Sequence, residues 1–276
     1  MTFKTRKTVV GYDGSRSAQA ALDWAAVDAA ERGSELLVLH VAEFGPAEHD
    51  GGSTPEPLGR ASTTLLEDGL ARVRRLAPDL PVTLETSLAG ISRSLVTASC
   101  TAEMVVLGVP EHRTVEGQVL GNTTAAVVAR AHCPVVVVSP GAGVARGRCV
   151  TVGYDGSAGA ERALSFAAER AGRQDVPLVV TVAYEDAQGT QDTQGTQAAT
   201  RLGELAVTWV HRCFPGVQAR YELVEGTAVP VLSDASHGCG IVVVGNRGRG
   251  LTADLLTGSV GNGLITRSHS PLAVVH

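Results

Sequence analysis

"VGYDGS" reads from Val10 to Ser15, and the same letters stand again from Val152 to Ser157. So exact a repeat at so long a spacing marks an internal duplication. The far ends agree, because "CPVVVV" (Cys133 to Val138) returns as "SPLAVV" (Ser270 to Val275). Between the copies lies a Gly-rich linker, "SPGAGVARGR", from Ser139 to Arg148. The 276 residues therefore read as two domains, 1–140 and 148–276, each long enough to bury its own core.

Each hexapeptide closes an apolar run (Thr8 to Tyr12; Val150 to Tyr154) and opens a helix. Ala18, Ala21, Leu22, Ala25 and Ala29 fall at helical spacing in the first half, and Ala160, Ala163, Leu164, Ala167 and Ala171 in the second. Ser15 or Ser17, and Ser157, are the expected N-caps; Gly33 and Gly172 are the expected stops. Then come strands "ELLVLHV" and "PLVVTVA", second helices (about Ala61 to Leu76; about Ala198 to Cys213), third strands (Val82 to Ser87; Val217 to Val224), third helices, the runs "MVVLG" and "IVVVG", fourth helices and short last strands. Strands that alternate with helices and read as unbroken Val/Leu runs predict a parallel sheet covered on both faces. The fold class is α/β: two doubly wound domains in tandem. The polar stretch "EDAQGTQDTQGTQAAT" (Glu185 to Thr200) reads as a solvated connection, with gating beside a ligand as its sharper reading.

Hydrophobic residues make up 44 % and charged residues 18 %, as in a folded α/β protein, and aromatics only 4 %, so Val, Ala and Leu must build the core. A net charge of −5 offers no general field for nucleic acid or an anionic membrane. No stretch has signal-peptide or membrane-spanning character, and a cytoplasmic location is expected. The cysteines (Cys100, Cys133, Cys149, Cys213, Cys239) are odd in number and lack C-x-x-C spacing, so they read as small buried apolar residues. Histidines His40, His132 and His269 read as packing or surface groups, with no metal-ligand spacing. Trp24 and Trp209 read as core, with a contact between the two domains as the alternative.

"GNRGRGLTADLLTGS" (Gly245 to Ser259) follows the run Ile241 to Val244 and carries the chemistry. It lacks the lysine of a P-loop. Gly248-x-Gly250-x-x-Ala253 matches a dinucleotide fingerprint only in form, because it is not the first turn of its unit and no acid follows. What remains is G-x-x-G, a spacer, then G-S: Gly245, Gly248, Gly258 and Ser259, with Val260 next. Such glycines let backbone N–H groups approach an anion at a helix start, where Ser259 adds a hydroxyl and Arg247 and Arg249 add positive charge. Ordinary turn chemistry and solvated arginines are the plain alternative. The loop follows the strand expected beside strand one, at the crevice where doubly wound sheets hold ligands. Asp155 ends strand one there, able to accept from ribose hydroxyls or to close an Asx-turn with Gly156 and Ser157.

These paired starts, the G-x-x-G and G-S signature and the repeated ends resemble the universal stress protein family in its tandem form, over nearly the whole chain. The resemblance implies two Rossmann-like domains, each a five-stranded parallel sheet of order 3-2-1-4-5. It also implies ATP binding, with Mg2+, and a nucleotide-dependent stress-response regulator. Its nucleotide site would use Gly153, Tyr154 and Asp155 after strand one, with Val182 meeting adenine through its backbone. Val244, Gly245, Arg247 and Gly248 would form the near wall, and Gly258, Ser259 and Val260 would take the phosphates. The halves would pack as a pseudo-dimer, and a further homodimer is open.

The first half keeps Asp13, Val41, Gly108 and Gly121 but has Glu111 at the second glycine and Asn122 at the serine. Two unit charges about 4 Å apart repel by roughly 1 kcal/mol even in water, so Glu111 opposes a triphosphate. Pro110 also removes a donor. The second half is therefore expected to hold the nucleotide. No G-x-S-x-G elbow or H-E-x-x-H motif argues for efficient catalysis. A nucleotide-independent interaction module and a slow ATPase stay as the competing functions.

Overall fold

A computed structural model of the chain describes residues 7–42, 56–109, 122–142, 147–185, 194–248 and 259–276. They divide into two compact units, the first within residues 7–142 and the second within 147–276.

The first unit runs β1 (Lys7–Gly11), α1 (Arg16–Arg32), β2 (Glu35–Val41), α2 (Glu56–Leu76), β3 (Val82–Ser87), α3 (Ile91–Ser99), β4 (Met104–Gly108), α4 (Asn122–Arg130), β5 (Val135–Val138). The second runs β6 (Val150–Gly153), α5 (Ala158–Gln174), β7 (Leu178–Tyr184), α6 (Gln194–Cys213), β8 (Ala219–Glu225), α7 (Ala228–Ala235), β9 (Ile241–Gly245), α8 (Ser259–Ile265), β10 (Leu272–Val275). Every pairing within a unit is parallel. The orders are β3-β2-β1-β4-β5 in the first unit and β8-β7-β6-β9-β10 in the second.

Two glycines per unit reveal how the faces are covered. A Cβ on Gly11 would meet Leu95 of α3, whereas one on Gly108 would meet the backbone of Ser17 and Ala18 in α1. Val10 pairs with Val106, so Gly11 lies level with Leu107 and shares its face. Gly108, one residue on, looks to the opposite face, and α1 and α3 therefore cover opposite sides of the sheet. The second unit repeats this: Gly153 looks to Leu232 of α7, and Gly245 to Gly159 and Ala160 of α5. Such a sheet, buried on both faces, explains why β4 and β9 are apolar without alternation. The crossing from β1 to β4, and from β6 to β9, opens a crevice at the C-terminal strand ends.

Helix starts follow the sequence closely. Ser15 caps α1 and Ser157 caps α5, each Oγ accepting from the backbone N–H three residues on at 3.2 Å. Gly33 closes α1 in the left-handed conformation at φ 62°. Gly172 does not close α5. The helix continues to Gln174 and ends at Asp175 (φ 52°), whose N–H returns to Ala171 O; Asp is one of the few non-glycine residues that adopts this turn cheaply. The expected polar loop is also shorter than read, because Gln194 to Thr200 already belong to α6, anchored by buried Ala199. Gln and Ala favour the helix once one face is packed. Residues 186–193 of that stretch lie outside the described residues.

Trp24 is buried in the first unit, and Trp209 is half-buried, its ring 5.8 Å from Phe214. The expectation of uniformly buried cysteines fails. Cys133 and Cys239 are buried and Cys149 is half-buried, but Cys100 and Cys213 are exposed because they stand at the ends of α3 and α6. No helix among the described residues is long and apolar enough to cross a membrane.

Candidate functional site

The second-unit crevice starts from the Asp-Gly-Ser turn. Tyr154 N–H donates to Thr181 O at 3.0 Å, prolonging the β6–β7 ladder by one bond past Gly153. Asp155 follows, half-buried, and its Oδ1 accepts from Ser157 N–H at 2.9 Å. That is the Asx-turn, with Gly156 at φ 73° in the position where a side chain would be strained. One carboxylate oxygen thus holds the turn, and Oδ2 faces the loop that follows β9.

That loop is pressed against the start of α5. A Cβ on Gly245 would stand 2.5 Å from Gly159 C and 2.9 Å from Ala160 N; one on Gly159 would stand 2.3 Å from Arg247 O. Both are backbone contacts, so neither position accepts a side chain without moving a helix or the loop. The glycine at 245 therefore serves close packing of helix on strand. Ser157 Oγ donates to Arg247 O at 3.2 Å, so the residue that caps the helix also ties down the loop. Beyond it, Gly248 lies against Asp155: a Cβ there would be 2.7 Å from Oδ2. Asp155, Arg247 and Gly248 are brought together as one wall of the crevice. Val244 is buried beneath it, and Arg247 is exposed.

Asn246 was not singled out by the motif, which leaves its position free. Its N–H donates to Val275 O at 2.8 Å, and its buried Oδ1 has no partner among the described residues. Ser259 opens α8 and Val260 is half-buried in its first turn. Arg249 and Gly258 lie outside the described residues, as does the Ser259 side chain.

The strand-two position needs correction. Along a strand, successive residues turn their backbone groups to opposite edges. Thr181 O faces β6, and Tyr184 O accepts from Gly226 N–H on the β8 side at 2.8 Å. Val182 has the parity of Tyr184, so its N–H and C=O belong to the β8 ladder, where it pairs with Leu223. Ala183 turns its groups to the edge that β6 has vacated. In the first unit Leu39 O accepts from Tyr12 N–H at 2.9 Å and Ala42 N–H donates to Ser87 O, which gives Val41 the open edge. Val41 is thus matched by Ala183, not Val182. Leu39 faces Gly11 as Thr181 faces Gly153, a register that two valine-rich strands conceal until they are paired.

The first unit keeps the scaffold and fills it differently. Asp13 is exposed, and its Oδ1 accepts from Ser15 N–H at 2.9 Å. Gln19 Nε2 donates to Gly14 O at 2.9 Å, and His40 Nδ1 is 3.0 Å from Tyr12 O. Leu65 of α2 crowds the turn, 2.6 Å from where a Cβ on Gly14 would be. Arg72 binds both Asp23 oxygens from the same helix, with Nη2 to Oδ2 at 2.6 Å. Ser17 stands where the second unit has Gly159. It has the Cβ that the Arg247 path excludes, and its hydroxyl meets Ser15 Oγ at 3.1 Å. Gly108 packs on α1 as Gly245 does on α5. Pro110, Glu111 and Gly121 lie outside the described residues, as does the Asn122 side chain. Among the described residues no group of three or more His, Cys, Asp or Glu side chains is placed to hold a metal.

The model of the universal stress protein family matches residues 4–139 and again 148–276. A universal stress protein of Mycobacterium tuberculosis is 30% identical over 291 residues, covering 98% of this chain and 97% of that protein. One from Mycolicibacterium smegmatis is 27% identical over 289 residues, covering 97% and 96%. Among solved structures, a universal stress protein from Archaeoglobus fulgidus covers 99% of both chains with a TM-score of 0.74 at 17% identity, a likeness of fold.

Proposed function

The chain belongs to the universal stress protein family, and from that premise we propose that its second unit binds ATP with Mg2+ and acts as a nucleotide-dependent stress-response regulator. The observation that carries this reading is the wall made by Asp155, Arg247 and Gly248, where the Asp155 carboxylate oxygen lies 2.7 Å from the Cβ that Gly248 lacks, so that a side chain there would displace the carboxylate. Asp155 Oδ1 is engaged by the turn, and Oδ2 is the acceptor for ribose hydroxyls. Gly153 and Tyr154 form the floor at the end of β6.

Ala183 offers its backbone N–H and C=O to the adenine edge, the role first assigned to Val182. Gly258, Ser259 and Val260 take the phosphates at the start of α8, where Arg247 and Arg249 offset part of their charge. Mg2+ would be bound with the nucleotide, chiefly through phosphate oxygens and water. The first unit is expected to bind weakly or not at all. Ser17 and Leu65 support that reading independently of Glu111.

Calorimetry of ATP with Mg2+ against the intact chain and Gly248→Glu tests it. One-site binding that is lost in the variant, with its circular dichroism unchanged, supports a single cradle in the second unit. No binding to the intact chain overturns the nucleotide reading and favours an interaction module.

A further inference from the structure

The opposite end of the second unit, where the linker enters β6, holds two thiols. Val150 pairs with Ile241, and Gly240 N–H donates to Cys149 O at 2.8 Å, so Cys149 lies beside Gly240 with Cys239 one residue away. Adjacent strands about 4.8 Å apart and a step of about 3.3 Å along one of them separate the two Cα atoms by about 6 Å. That falls within the roughly 4.4–6.8 Å range of disulfide-bonded pairs.

Both side chains lie on the α7 face of the sheet: Cys149 has the parity of Thr151 and of Gly153, which looks to Leu232 of α7, and Cys239 Sγ reaches Ser236 O at the end of α7. Cys149 Sγ is 3.9 Å from Thr151 Oγ1 and 3.9 Å from Gly238 O, and Cys239 Sγ is 3.4 Å from Ser270 Oγ and 4.0 Å from Ser236 O. The backbone around them is tightly held: a Cβ on Gly147 would be 1.9 Å from Gly240 N.

We propose that Cys149 and Cys239 form a peroxide-responsive dithiol that closes to an intra-unit disulfide. Cys149, half-buried, is the thiol that oxidant reaches; Cys239 is 9% exposed. Burial pushes the Cys239 thiol up and keeps it protonated, so it is not the thiol that oxidant meets first. The Cys149 thiolate attacks a hydroperoxide: an S–O bond forms, the O–O bond breaks, and the leaving oxygen takes a proton to depart as alcohol or water. Cys239 sulfur then attacks Cys149 Sγ; the S–S bond forms, the S–O bond breaks, and the hydroxide leaves as water with the Cys239 proton. The two thiols lose two electrons and the peroxide gains them. The bond would join the N-terminal ends of β6 and β9, whose other ends carry Asp155 and Gly248. The inference does not depend on nucleotide binding.

The test treats the full chain with hydrogen peroxide, blocks remaining thiols with N-ethylmaleimide and maps unreduced peptides by mass spectrometry. The expected result is a Cys149–Cys239 linked peptide that dithiothreitol abolishes and that is missing from Cys149→Ser. In Cys239→Ser, which removes the resolving thiol, Cys149 is expected to be trapped by dimedone as a sulfenic acid. Full alkylation of both thiols after peroxide, or linkage of either to Cys100, Cys133, Cys213 or a second chain, overturns the proposal. Circular dichroism of both serine variants separates loss of reactivity from loss of fold.

Discussion

Gly159→Ser transfers to the second unit the residue that the first unit carries as Ser17. The introduced Cβ would stand 2.3 Å from Arg247 O, where ordinary contact begins at 3.4 Å, so the loop must withdraw by about 1 Å. Arg247 O is also the acceptor of Ser157 Oγ at 3.2 Å, a bond that such a shift stretches beyond hydrogen-bond length. Overpacking of this kind costs about 1–3 kcal/mol, and the lost hydrogen bond about 1 kcal/mol. The first cost falls on folding of the second unit and is read as a lower denaturant midpoint. The second displaces Gly248 from Asp155, and a misplacement of about 1 Å at a positioned site is expected to weaken ATP at least tenfold. Calorimetry with ATP and Mg2+, beside urea unfolding of the same preparations, measures both. Affinity within twofold of the unmodified chain, with an unchanged midpoint, would refute the claim that the Gly159–Arg247 approach sets the loop. Loss of stability without loss of affinity would confine its role to packing.

Gly245→Ala and Gly108→Ala place a Cβ 2.5 Å and 2.3 Å from helix backbone, and each should lower the unfolding free energy of its own unit by about 1–3 kcal/mol in denaturant titration. Asp155→Asn keeps an acceptor for Ser157 N–H but removes the charge, so ATP should weaken roughly tenfold, as expected for a charged hydrogen bond of about 1.5 kcal/mol, with little change in melting temperature. Ser15→Ala and Ser157→Ala both remove an N-cap worth about 1 kcal/mol; the second should cost more, because it also frees the Arg247 carbonyl.

Burial pushes the Cys133 thiol from 9.0 up to about 12, so the folded state holds this proton more tightly than the unfolded chain. Its contribution is complete below pH 9 and is lost as pH rises toward 12. Cys133→Ala should therefore flatten the alkaline fall in stability by up to about 1.4 kcal/mol per pH unit around pH 10 to 11, read by urea unfolding in that range.

Much of this protein follows from local features of its sequence. An exact repeat requires two like units, and Ser15 and Ser157 announce helix starts because capping needs only the next few residues. Unbroken runs such as Ile241 to Val244 declare strands covered on both faces. Asp155 and the G-x-x-G spacing mark the crevice for the same reason, being turn chemistry at a strand end.

Features that depend on which backbone lies beside which were not legible. Val182 and Ala183 are equally plausible by composition, and only the pairing of Thr181 with Gly153 tells which one turns its backbone toward the open edge. Gly245 reads as a ligand contact in the motif, yet its missing side chain is required by α5, a helix from far earlier in the chain. Gly159 carries no motif at all until its distance to Arg247 O is known. Asp175 ends α5 past Gly172 because packing and a permissive backbone outweigh a glycine's weak preference to stop a helix. Sequence alone determined the elements, their repetition and the place of the crevice. Tertiary structure decided which edge, face and neighbour each residue meets, because close approach between segments distant in the chain is a property of the packed fold and leaves no periodic trace in the residues themselves.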